Sequence, residues 1–234
     1  MLNLWHRHQM IKPLDPLRLD VLRALNKPGC LICRVQHEWS ARFFYWLVNQ
    51  NYYVEASIIA LKKSGGLCRP HAAKLLELHS VYTTAVMYQY LVEDARTKLR
   101  ALTDQARQET RKPSRKPRNF SMAPTGECPA CAEDEEIVQG ATRELVSALS
   151  EGEVIEKYRA GDALCMPHFH RAVGLASPGV VVLLAETQIA RLDTLTRDFA
   201  EYLRKVDYRF ANEPKGNEQT AWQRAIARLA GESD

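Results

Sequence analysis

No cysteine is left over in this chain. All six fall into Cys-x2-Cys or Cys-x2-His pairs, so a scattered disulfide framework finds no support. A long apolar run is also missing. The stretch from Ala172 to Ala185 is free of charge, but Gly174, Ser177, Pro178 and Gly179 interrupt it; it is too short and too broken to span a bilayer. The first residues, Met1-Leu2-Asn3-Leu4-Trp5-His6, run into charge without an apolar core, so no secretory signal is expected. Charge of one sign is scarce too. A formal net charge of +4 is mildly basic and does not by itself point to nucleic acid. Period-2 alternation bounded by turns occurs nowhere, so no sheet of consequence is expected. Catalytic signatures are absent as well: no P-loop, no G-x-G-x-x-G, no G-x-S-x-G and no H-E-x-x-H. Together these absences predict a helical protein of a reducing cytoplasm, more naturally a non-enzyme than an enzyme, in which Cys-x2-Cys pairs favour metal or redox chemistry over structural disulfides.

What is present is one pattern written twice. Cys30-x2-Cys33 precedes Cys68-x2-His71, and Cys128-x2-Cys131 precedes Cys165-x2-His168. Each copy supplies three thiolates and one imidazole, the complement that closes a tetrahedral zinc site. The expected ligands are Cys30, Cys33, Cys68 and His71 for one ion, and Cys128, Cys131, Cys165 and His168 for the other, with each repeat closing its own site. Helices starting near Pro70 and Pro167 would aim their positive ends at the thiolates. Two zinc ions are the simplest cofactor; two iron–sulfur clusters are the alternative. A full set of four protein ligands leaves no open position for a metal-bound water. A thioredoxin-like dithiol would want a βαβ setting, which the pattern lacks. His170 lies two residues past His168 and belongs to another side of its helix; His37, His79, His6 and His8 read as surface or capping residues.

The duplication extends past the ligands. A shift of 97 positions superposes Cys68 on Cys165 and His71 on His168. The same shift lays Ala85, Tyr88, Val92, Ala95, Leu99 and Leu102 on Val182, Ala185, Ile189, Leu192, Thr196 and Phe199. That is a helical stripe stepping by three and four, and it predicts that helices Val81–Arg107 and Gly179–Val206 pack on each other. The expected fold is all-α: two duplicated helical modules, each closed by a Cys3His metal site. The divisions are an N-terminal module at 1–106, a basic linker at 107–125, a second module at 126–211, and a tail with a short amphipathic helix at 212–234.

Two further regions suggest partners. Trp39 to Tyr53 is crowded with aromatics. A stripe of Val35, Trp39, Phe43 and Trp46 should face inward, and the rest suits either burial or a protein partner. The C-terminal helix, with Trp222, Ile226 and Leu229 on one side, is expected to dock on the bundle or to meet a partner. Arg111, Lys112, Arg115, Lys116 and Arg118 form a basic arm, either a solvated linker or a contact for RNA or the ribosome. The acidic run Glu133-Asp134-Glu135-Glu136 is assigned to a helix dipole.

The motifs Gly65-Gly66-Leu67-Cys68-Arg69-Pro70-His71 and Ala163-Leu164-Cys165-Met166-Pro167-His168 resemble an uncharacterised family of bacterial helical proteins with paired CPxC and C-x2-H elements. The resemblance spans most of residues 27 to 206. Cys128-Pro129-Ala130-Cys131 carries the family's proline, whereas Leu31 stands there in the first copy. It implies the metal ligands and a bacterial cytoplasmic setting, and no enzyme activity.

Overall fold

A computed structural model describes residues 15–111, 121–210 and 212–232. The described residues are helical without strands. In order they form α1 (Pro16–Ala24), α2 (Leu31–Trp46), α3 (Glu55–Ser64), α4 (Arg69–Glu77), α5 (Val81–Arg111), α6 (Pro129–Ala148), α7 (Gly152–Ala160), α8 (Met166–Val173), α9 (Pro178–Val206) and α10 (Ala221–Ala230). A π turn, Leu47–Asn51, extends α2, and a 3-10 turn, Asn217–Thr220, leads into α10. The helix starts follow local chemistry. Asp15 caps α1 by accepting the Leu17 N–H at 2.9 Å, and Pro16 occupies the first turn, where no donor is lost. Helix α5 runs to Arg111, so the linker expected from residue 107 begins in helix. Lys112, Arg115, Lys116 and Arg118 lie outside the described residues.

The compact units do not follow the repeats. One unit comprises 1–35 with 138–234, the other 36–137. The boundaries fall inside α2 and α6, so each of these helices starts in one unit and continues in the other. In the first unit, α8, α9 and α10 pack together, over buried Val21, Ile32, Leu145, Leu164 and Leu184. In the second, α3 packs on α5, around Phe44, Leu47, Val48, Ile58, Leu61, Leu75 and Met87.

Three predicted faces are corrected. Of the stripe expected on α2, Val35 is buried, Trp39 and Phe43 are half-buried and Trp46 is 49% exposed; Ser40 and Phe44 are buried beside it, as are Leu47 and Val48 of the π turn. The stripe meant to join the long helices is open on both: Val92 and Leu99 on α5, Val182 and Ile189 on α9. Helix α10 docks, but through buried Ala221 and the half-buried arginines Arg224 and Arg228, which bond Asp198 and the Leu164 carbonyl. Its apolar side, Trp222, Ile226 and Leu229, faces outward. Small residues permit close approach of the backbone, and the arginine stems cover apolar surface while their heads bond.

Candidate metal centres

The four half-sites share one local construction. Cys30, Cys68, Cys128 and Cys165 each stand immediately before a helix, and Cys33, His71, Cys131 and His168 sit one turn inside it. The carbonyl of each leading cysteine accepts the first helical bond: from Arg34 at 3.1 Å, Ala72 at 2.8 Å, Ala132 at 3.0 Å and Phe169 at 2.8 Å. This is the capping position, and a side chain there lies beside the one three residues on. The x2 spacing therefore places two ligands on one side of a helix start. For Cys68 and Cys165 no side-chain capping bond is made, which leaves both sulfurs for another task. The partial positive charge of a helix start favours a thiolate at the residue that precedes it.

The half-sites pair across the repeats. Cys30 and Cys33 meet Cys165 and His168; Cys68 and His71 meet Cys128 and Cys131. All eight ligands read from the sequence are thus brought into two groups of Cys3His. The partners within a group are exchanged relative to the expectation that each repeat closes its own site. Helix lengths supply the reason. Helix α2 and its π turn span 31–51 and carry the chain about 30 Å, while α3, with 10 residues, returns at most about 15 Å. The next residues bend rather than extend, with Gly65 and Gly66 at φ 71° and 106°. The second repeat is the same: α6 has 20 residues and α7 has 9, and a left-handed Ala163 at φ 62° precedes Cys165. Each Cys-x2-His meets the Cys-x2-Cys of the other repeat.

The ligand atoms of each group all lie within 4.8 Å of one another. In the first centre the His168 Nδ1 is 3.5 Å from the Cys30 sulfur, 3.4 Å from Cys33 and 3.1 Å from Cys165, and Cys33 is 3.7 Å from Cys165. In the second the His71 Nδ1 is 3.2 Å from Cys68, 3.5 Å from Cys128 and 3.4 Å from Cys131, with Cys68 and Cys131 3.6 Å apart. Bonds of about 2.3 Å to sulfur and 2.0–2.1 Å to nitrogen give tetrahedral edges of about 3.5–3.8 Å. The donor set and spacing fit a single four-coordinate ion, and each group can hold one. With no ion, crowding in the first centre shifts Cys30, Cys33 and His168. Burial works against a charged His168 ring, but the Cys165 and Cys30 sulfurs outweigh it and lift the ring to about 9. The Cys30 thiol is pushed well down by its bonds to Cys165 and Cys33, and Cys33 is pushed up by Cys165 and Cys30.

The surroundings of the centres differ. His71 turns its Nε2 to Asp134 at 3.2 Å, and Gln36 bonds the same carboxylate at 3.4 Å. A carboxylate behind a metal-bound imidazole fixes the ring and strengthens it as a ligand. Periodicity gave Asp134 only a dipole role. Its place three residues after Cys131 on the ligand-bearing helix was the available signal. At the first centre, two acids brace the loop before α2: the Gly29 N–H donates to Asp162 at 2.7 Å and the Cys30 N–H to Glu232 at 2.6 Å. Gly29 sits at φ 88°, a backbone that favours glycine, and a Cβ there would fall 2.3 Å from the Glu232 carboxylate and displace it. Gly231 passes over the centre, its Cβ position 3.9 Å from the Cys33 and Cys165 sulfurs. His170 is exposed and is not a ligand here.

No curated protein and no solved structure matches the chain. A family model does, over residues 19–234, and its description is a family of unknown function, DUF6062. With nearly the whole chain covered, the protein belongs to the DUF6062 family.

Proposed function

We propose that this is a zinc-stabilised, non-enzymatic scaffold or interaction protein of a reducing cytoplasm. The observation that carries the reading is the closed geometry of both groups: four protein ligands at single-ion spacing around each centre. Four filled positions leave none for a catalytic water. Iron–sulfur clusters fit less well, because a cluster distributes its ligands over several irons and needs them farther apart than the edges of one tetrahedron. All six cysteines are free of disulfides, so every sulfur is available to an ion. Among the described residues no helix is long and apolar enough to cross a membrane.

The partner in this reading is a protein that covers exposed aromatics. Tyr45, Trp46 and Tyr53 are open, beside a groove of about 280 Å³ lined by Phe43, Trp46, Leu47, Ala60, Leu61 and Pro129. Trp222 and Ile226 give α10 a second open face. Large aromatics at a surface are the usual anchors of protein interfaces. Metal analysis and a visible spectrum of protein purified without oxygen or added metal test the zinc assignment. Two colourless zinc equivalents are expected. Iron with sulfide and a broad band near about 400 nm overturns it.

A further inference from the structure

Two sulfurs of the second centre stand apart from the other four cysteines. Cys68 and Cys131 are only partly buried, while Cys30, Cys33, Cys128 and Cys165 are buried. The exposed pair is also in mutual contact, 3.6 Å apart, and comes from two different helix starts. The matching pair of the first centre, Cys33 and Cys165, is nearly as close at 3.7 Å. It is enclosed, however, with the backbone of Gly231 over it. Proximity is therefore equal in the two centres and access is not.

We propose that Cys68 and Cys131 form an oxidation-responsive pair, converted by hydroperoxides into a disulfide that expels the second ion. This rests on the zinc reading above. An ion keeps both sulfurs as thiolates, the form that attacks peroxide. One thiolate attacks the O–O bond of hydrogen peroxide. An S–O bond forms, the O–O bond breaks, and hydroxide leaves. The other thiolate then attacks that sulfur, an S–S bond forms, and the S–O oxygen leaves as a second hydroxide. The two sulfurs lose two electrons and the peroxide gains two; the zinc departs unchanged as Zn²⁺. The bond closes a gap of 3.6 Å to about 2.05 Å. Cys128 is shielded by burial, so it is the less accessible partner for Cys131. Expulsion unties the start of α4 from the start of α6 and leaves the first centre intact.

The test uses the full chain, first shown to hold two zinc equivalents. Hydrogen peroxide is added at one equivalent with a chromogenic zinc indicator, and non-reduced peptides are then mapped by mass. The expected result is release of one of the two zinc equivalents, with a Cys68–Cys131 crosslink and the first centre still loaded. Thiol reductant plus zinc should restore the starting state. Release of both equivalents at one rate overturns the proposal. So does a dominant crosslink at Cys33–Cys165 or Cys128–Cys131, or sulfinic acid without a crosslink. Protein that holds no zinc before peroxide is added defeats the zinc reading instead, so the two failures are distinguishable.

Discussion

The two centres are built from the same parts and finished differently. Both use three cysteines and a histidine set at helix starts. The first is buried at all four ligands, and Glu232 holds the Cys30 amide while Gly231 covers the sulfurs. The second leaves Cys68 and Cys131 partly open and invests in the histidine instead, through Asp134. Ligand identity sets whether an ion binds; cover and support set how tightly it is held and how fast it exchanges. The two groups share one donor set, and their surroundings make one enclosed and the other accessible.

The largest effect tests the exchange of partners. Cys33→Ser and Cys165→Ser come from different repeats but share one centre. Each single variant should lose one zinc equivalent, and the double variant should still lose only one. Cys33→Ser with Cys68→Ser should lose both, although these residues belong to one repeat. A structural ion is worth on the order of 10 kcal/mol, so melting should fall in step with metal content. The reverse pattern of stoichiometry would restore pairing within each repeat.

A smaller effect separates the two surroundings. Asp134→Asn should weaken zinc at the second centre about 10- to 100-fold and leave the first unchanged. Glu232→Ala should act on the other side, because the Cys30 amide loses its acceptor at a cost of about 1–3 kcal/mol. Its signature is faster loss of the slow ion to a chelator with no change in the fast one. Equal effects on both ions would show that the two environments are not independent.

Acidity offers a third comparison. A ligand histidine must be neutral, and without the ion the His168 ring is raised to about 9. A proton must then be displaced for zinc to enter whenever the pH lies below that value. Affinity at the first centre should accordingly fall as pH drops from about 9 to 7, by up to about tenfold per unit for this one proton. In ion-free protein the sign is opposite: the raised ring contributes stability that is full below about 6.5 and lost as pH rises through about 9. Competition with a chelator at several pH values, beside thermal melts of ion-free protein, reads both slopes.

The residues that cluster into the two Cys3His groups, the helical class and most helix limits were legible because they depend on local spacing. Met166–Val173 starts and stops where Pro167 and Gly174 dictate. Partner choice was not legible from spacing alone, because it depends on how far each helix carries the chain. The unequal lengths of α2 and α3 held that information, but only once the helices were measured against each other. The outward face of α10 was hidden for another reason. Apolar periodicity marks which residues share a side, and here arginine stems and alanines took the inner one. Asp134 escaped notice because four acids in a row look alike until His71 selects one.

The smallest effect lies at the bends that deliver the two Cys-x2-His elements. The 97-residue shift that matches these elements also matches Gly66 with Ala163, and both hold positive φ, 106° and 62°. Glycine meets this requirement without steric cost, whereas a Cβ in the left-handed region costs roughly 1–2 kcal/mol. Ala163 is 3% exposed, so its methyl is packed and returns part of that cost. Ala163→Gly should therefore raise stability by less than about 1 kcal/mol, since glycine also loosens the unfolded chain. Gly66→Ala should lower it by more, because an added Cβ finds only an ordinary contact, 3.6 Å from Leu91, to offset the strain. Thermal melts of the two zinc-loaded variants should shift in opposite directions. A loss of stability in Ala163→Gly comparable to that in Gly66→Ala would mean that packing of the Ala163 methyl, rather than backbone strain, governs how Cys165 is presented to its ion.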